Sequence, residues 1–336
     1  AELLGSLQKS QAQVPRLTVV REAIAVGAAL RIDDDLLEGG DADVRVGDQR
    51  DAVLDRELAD KLGVTLSGQM DWDSLLTDGK KIHDLDHKYY LVNSDVTKIS
   101  SVIKSFVKQR TGRQWVKEDY ALGFTQAEAS EAFGWLQQAY EAGVFQPLGE
   151  AALFSGKTEQ NPKWINQEIV LNFDWTSSMK SFIGTLPPGT EVAVVLPPIA
   201  QDAKDTAVLV RPAAYLSVSS KSANAAEAVR FANWFVNDKD AAIALGDVRA
   251  VPAVEASARA AMEAGKIDKA ITEAVDAAMK KAGNRENAVS NLSETDDILK
   301  DVVQKVAYGK ATPDQAAEEL IKRMTDKLIE IKNRRK

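Results

Sequence analysis

The side chains best suited to chemistry in this sequence are few. Only two histidines occur, His83 and His87, four residues apart and interleaved with Asp84 and Asp86. At helical spacing they would share a face and could hold zinc with a carboxylate. Asp78-Gly79 just upstream reads as a turn, however, and no glutamate follows the first histidine as a zinc-protease helix requires. The favoured reading is a solvated connection between a helix and a strand, with no metal. A Ser-His-Asp triad would have to recruit its base from that connection. There is no cysteine, which removes thiol nucleophiles, disulfides and thiolate metal sites together. The sequence has no Gly-x-Gly-x-x-Gly, no full Walker-type Gly-x-x-x-x-Gly-Lys-Ser/Thr loop and no Gly-x-Ser-x-Gly elbow. These gaps argue against nucleotide enzymes and α/β-hydrolases, and no cofactor is implied.

Carboxylates are common, with 50 acidic residues, so their pairing carries little information. Asp33-Asp34-Asp35 and Asp296-Asp297 say little about glycoside hydrolysis, and the second pair suits the first turn of a helix. Residues 171–178, Leu-Asn-Phe-Asp-Trp-Thr-Ser-Ser, are more telling. A buried-type strand there runs into a polar turn bearing an aromatic ring, and then into a helix. Ligands meet α/β proteins at such strand ends. A tryptophan beside Asp, Asn, Thr and Ser is the mixture that recognises a sugar, a flat ring for the C–H face with fixed partners for hydroxyls. Core packing is the alternative for Trp175, and its neighbours favour a site.

The elements that must position these groups follow from periodicity and caps. At 336 residues with 45% hydrophobic and 27% charged side chains, two lobes of ordinary globular composition are expected. The net charge of −8 argues against a nucleic-acid surface. No apolar run approaches the roughly 18 residues of a membrane span, and no basic-then-apolar leader opens the sequence. Strands are expected near 17–20, 26–32, 88–93, 168–173, 191–196 and 209–218. Helices are expected over 55–62, from Trp72 behind the cap Asp71, over 125–142 with a Thr125/Glu128 capping box, and over 224–236. Four more follow Pro252, over 255–264, 268–281, 295–307 and 313–331. Strands alternating with helices before a helical end indicate α/β layers.

Ordered blocks in this chain resemble the family 1 extracellular solute-binding proteins, the group that includes maltose-binding protein. They are residues 53–64 (a crossover block), Asp71-Trp-Asp-Ser-Leu75, 127–143, Phe154-Ser-Gly-Lys157 with 170–175, 194–197, 216–237, 246–252 and 299–320. The first fifty or so residues depart from the family's opening, and the block expected at 41–50 has no counterpart. The resemblance implies a two-lobe α/β fold of the class II periplasmic-binding-protein type with a helical C-terminal region and an incomplete first lobe. Residues 1–52 with 208–252 would form that residual lobe, and 53–207 with 253–336 the larger one. It implies no reaction. A carbohydrate would stack on Trp175 and be hydrogen-bonded by Asn93, Ser94, Asp95 and Asp174. Tyr215 and Arg249 would face it from the smaller lobe. The chain would be a monomer at the outer face of the cell membrane or in the periplasm, handing its ligand to the permease of an ABC importer, with any lipid anchor lost with its leader. The competing readings are a glycoside hydrolase using paired carboxylates and a non-transporting sensor or scaffold built on the binding fold.

Overall fold

In the computed structural model, described for residues 48–64, 70–211, 216–219, 221–248 and 251–334, the chain divides by its internal contacts into two units. Residues 1–49 with 210–279 form one, and residues 50–209 with 280–336 the other. The expected division set its last boundary after residue 252, whereas here residues 253–279 group with the smaller unit. The strands expected at 17–20 and 26–32 lie outside the described residues.

The larger unit is organised by strand β1, Asp48–Asp55. Its first half, Asp-Gln-Arg-Asp, carries no strand signature, so the sequence reading began this region only at the following helix. Ala52 and Leu54 alternate into the core, 0% and 6% exposed, as one face of a pleated strand must. Asp55 then caps α1, Arg56–Lys61, accepting the Leu58 N–H at 3.0 Å, and Gly63 closes it at φ +68. Helix α2, Trp72–Leu85, opens with a reciprocal Asp71/Ser74 capping box. Strand β2, Tyr90–Asn93, leads into α3, Val96–Thr111, a helix absent from the sequence expectation. Helix α4, Gln126–Glu141, has the expected Thr125/Glu128 box. After the short helices α5, Leu148–Ala151, and α6, Pro162–Ile165, come β3, Ile169–Trp175, helix α7, Thr176–Ile183, and β4, Val192–Val195.

The sheet order is β2-β3-β1-β4. β2 runs parallel to β3, and β1 runs antiparallel to both β3 and β4. Five consecutive residues of β3 are buried, as in a strand covered on both faces.

The smaller unit holds β5, Val210–Arg211, paired with Asp48 and Gln49, the two residues of β1 that group with this unit. It continues with α8, Ala225–Asn237, α9, Lys239–Leu245, α10, Glu255–Glu263, and α11, Lys269–Lys280. On α8 the buried residue is Ala232, which packs with Val229, Leu216 and Val218.

The chain ends in the larger unit with α12, Ser293–Ala307, and α13, Pro313–Arg334. On α13 the residues Ala317, Leu320, Met324, Leu328 and Ile331 recur at three and four and are all buried. An aromatic cluster ties α2, α3 and α4 together. Trp72 lies 5.2 Å from Phe106 and 5.1 Å from Trp135 between ring centroids.

One expectation is overturned. Asp78-Gly79 is not a turn; α2 runs through it to Leu85, so His83 sits in the last helical turn and not in a solvated loop. Glycine is needed there for closeness and not for bending. A Cβ on Gly79 would come 2.6 Å from Val144 Cγ2, and one on Gly143 would come 2.4 Å from His83 Cγ. These two contacts seat α2 against residues 143–144, whose carbonyls accept the Leu91 and Val92 N–H groups. His83 Nδ1 lies 2.8 Å from the Tyr89 carbonyl oxygen, and the His83 and His87 rings are 4.8 Å apart.

Helix propensity alone makes Gly79→Ala stabilising by about 1 kcal/mol. The close approach of Val144 reverses the sign, and the variant is expected to lose about 1–3 kcal/mol in urea denaturation. An increase in stability would show that α2 does not pack this closely.

Candidate functional site

Parallel pairing sets where the site can be. β2 and β3 run the same way with Asn93 opposite Asn172, so their carboxyl ends fall on one edge of the sheet. Each strand passes almost directly into a helix, β2 into α3 and β3 into α7. A cleft of about 550 Å³ opens at this edge, lined wholly by residues of the larger unit. Ligands of open α/β sheets sit in this position, outside the carboxyl ends of the strands.

Helix α3 supplies one wall through Thr97, Lys98, Ser101, Val102 and Ser105, which share a face at a spacing of four. Asp95 fixes its start, accepting the Lys98 N–H at 2.9 Å with Oδ1 and the Gly156 N–H at 3.0 Å with Oδ2. The same carboxylate therefore caps the helix and holds the 155–159 segment, which brings Ser155, Thr158 and Glu159 to the lining. Phe173, Asp174 and Trp175 at the end of β3 form the opposite wall, with Ser178, Ser181 and Phe182 of α7. Asp174 and Trp175 are both partly exposed, and the Trp175 N–H donates to Asp174 Oδ1 at 2.7 Å.

The walls are joined by Lys98. Its Nζ pairs with Asp174 Oδ2 at 2.6 Å, contacts Thr158 Oγ1, lies 3.4 Å from Asn172 Oδ1 and sits 4.6 Å from the Phe182 ring centre. Both charged side chains are largely buried, 16% and 14% exposed. The far end of the cleft, at Trp72, Pro197, Pro198 and Ala207, is held by Gln109. Its Oε1 accepts from Trp72 Nε1 at 2.8 Å and the Ala200 N–H at 2.9 Å, while Nε2 donates to the Pro198 carbonyl at 2.8 Å and the Thr206 carbonyl at 3.0 Å. All four bonds open to a side-chain amide are made.

The structure brings Asp95, Asp174 and Trp175 of the expected residues into one cleft. Asn93 and Ser94 stand behind it, 0% and 3% exposed. Asn93 Nδ2 donates to the Thr158 carbonyl at 2.8 Å and its Oδ1 accepts from Asn161 at 3.0 Å, so this amide braces the wall from inside. Tyr215 and Arg249 lie outside the described residues. Sequence reasoning missed Lys98 and the hydroxyls of α3 because it missed the helix. The signal was present: Asp95 as a cap, then Ile99, Val102, Ile103, Phe106 and Val107 at helical spacing, closed by Gly112 at φ +68. Among the described residues no group of three or more His, Cys, Asp or Glu could hold a metal ion.

The class of protein that this fold and cleft define is a binding protein of the open α/β type. The family model for bacterial extracellular solute-binding proteins matches residues 21–242, and the chain belongs to that family. Its fold is similar to a periplasmic solute-binding protein from Pectobacterium atrosepticum, with a TM-score of 0.77 at 19% identity, covering 88% of this chain and 74% of that one. It is similar also to a periplasmic oligogalacturonide-binding protein from Yersinia enterocolitica, solved with saturated digalacturonic acid (TM-score 0.75, 20% identity, 85% and 72% covered). A third is the Listeria monocytogenes substrate-binding protein Lmo0181 in complex with cycloalternan (TM-score 0.66, 16% identity, 99% and 80% covered). A search of curated proteins finds no match.

The Lys98–Asp174 bridge predicts a strong coupling. Lys98→Met leaves the Asp174 carboxylate without its cation in a largely buried place and is expected to cost about 3 kcal/mol in unfolding free energy. Lys98→Met with Asp174→Asn is expected to cost clearly less than the two single changes added, by about 1 kcal/mol or more. Simple additivity in denaturant titrations would mean that the walls are not joined by this pair.

Proposed function

We propose that this protein is a non-catalytic carbohydrate receptor that delivers a saccharide to the permease of an ABC importer, acting outside the cell membrane or in the periplasm. The observation that carries the reading is the cleft wall formed by Asp174 and Trp175 opposite the hydroxyl-bearing face of α3. A partly exposed indole offers an apolar plane for the C–H face of a pyranose. Asp174 beside it offers carboxylate oxygens to hydroxyl protons, and Thr97, Ser101, Ser105, Ser178 and Ser181 offer hydroxyl groups around it. The similar proteins solved with digalacturonic acid and cycloalternan support a sugar ligand.

Reaction chemistry is not favoured by the same geometry. Paired-carboxylate hydrolysis needs an acid and a base or nucleophile that are both available to the substrate. Of the three lining acids, Asp95 is committed to the Lys98 and Gly156 N–H groups and Asp174 is ion-paired with Lys98. Membership of the bacterial extracellular solute-binding family supports transfer of the ligand to a permease. An attached lipid would serve as the anchor for such a receptor.

Trp175→Ala is expected to weaken saccharide binding by about 2 kcal/mol, near 30-fold, with little change in melting temperature. Trp72→Ala, whose ring is 5% exposed, is expected to cost about 3–5 kcal/mol of stability. Calorimetric affinity and thermal unfolding of the two variants provide the comparison. Unchanged affinity in a folded Trp175→Ala protein would remove the stacking platform from the account.

A further inference from the structure

We infer that this cleft selects uncharged saccharides and rejects uronates, an inference that rests on the carbohydrate reading above. Four charged side chains line it: Asp95, Lys98, Glu159 and Asp174. One positive and three negative groups leave the described lining at a formal charge of −2.

The single cation in this lining is already engaged. An ammonium has three N–H donors, and three acceptors face Lys98 Nζ: Asp174 Oδ2 at 2.6 Å, Asn172 Oδ1 at 3.4 Å, and Thr158 Oγ1. A ligand carboxylate would have to displace one of these internal partners to reach it. Lys98 is thus a positioning residue that fixes Asp174. Asp95 is also turned inward, with one oxygen on the Lys98 N–H and the other on the Gly156 N–H and 3.5 Å from Ser155 Oγ.

Asp174 is different. Its two oxygens have about four acceptor sites between them, and the bonds seen are those from Lys98 and the Trp175 N–H. What this wall presents beside the indole is therefore acceptor capacity and negative charge. A neutral pyranose matches it, because each hydroxyl can donate a proton. A uronate replaces such a donor with a group that only accepts. It also brings a negative charge toward Asp174 and Glu159 in a partly enclosed space, where repulsion exceeds its value in open water.

The test is calorimetry on the full chain with probes paired by skeleton: 1,4-linked galactobiose against digalacturonate, and maltotriose against its uronate counterpart. In each pair that binds, the neutral member is expected to bind at least about tenfold more tightly. Raising the salt from about 0.05 to about 0.5 M should narrow that gap, since screening weakens the repulsion. Glu159→Gln, which removes one charge at nearly constant shape, should raise uronate affinity more than neutral affinity. A uronate that binds as tightly as its neutral partner overturns the inference and leaves the carbohydrate reading standing. So does a Glu159→Gln protein whose preference is unchanged. Binding of no member of either pair overturns both.

Discussion

The cleft depends first on the parallel pairing of β2 with β3. Two parallel strands place their carboxyl ends on one edge, and in this chain both ends turn at once into helices. Asp95 makes that turn possible on one side by capping α3, and on the other side Trp175 occupies the cap position of α7 without a side-chain cap bond. Trp175 is left partly exposed, while Asn93, two positions before Asp95, and Asn172, three before Trp175, are fully buried. The sheet edge thus sorts neighbouring residues into structural and ligand-facing roles within two or three positions.

Polar groups around this edge are shared between packing and site. Gln109 makes four hydrogen bonds that join α2, α3 and the 198–206 segment. Lys98 joins α3 to the end of β3. An unpaired buried polar group is costly, so networks closed in this way hold the two walls at a defined separation. A preformed cleft reduces the ordering cost that a ligand must offset. Asn172 Nδ2 is one buried group with no partner among the described residues.

Much of this was legible in the sequence, and the reasons for the gaps are physical. The cap at Asp71 and the capping box at Thr125 are local chemistry, and both helices start where the caps place them. The strand carrying Trp175 was readable because burial on both faces leaves an apolar run, Ile169 to Phe173, broken only by Asn172. β1 was not, since its opening Asp-Gln-Arg-Asp has no alternation to read and its place in the sheet is set by partners more than a hundred residues away. Asp78-Gly79 imitated a turn because only the folded structure reveals Val144 beside the glycine. Asn93 and Ser94 were expected at the ligand for a similar reason: a polar cluster after a strand looks the same whether it faces ligand or is buried, as both are, with Asn93 on the Thr158 carbonyl and the Asn161 side chain. Asp174 and Trp175 stood out by residue type and position and Asp95 through the family resemblance; all three line the cleft, whereas Lys98 required the helix that carries it.

The central claim is that saccharide meets this protein on the Trp175 face of the larger unit. Fluorine NMR of protein labelled with 5-fluorotryptophan tests it directly, because the six indoles report from separate environments. Trp72, Trp115, Trp135 and Trp164 are buried, and Trp175 is assigned by its loss in Trp175→Phe. The account predicts that titration with a bound saccharide shifts the Trp175 resonance saturably, with the buried indoles moving far less. Saturable binding that leaves the Trp175 resonance in place would contradict it.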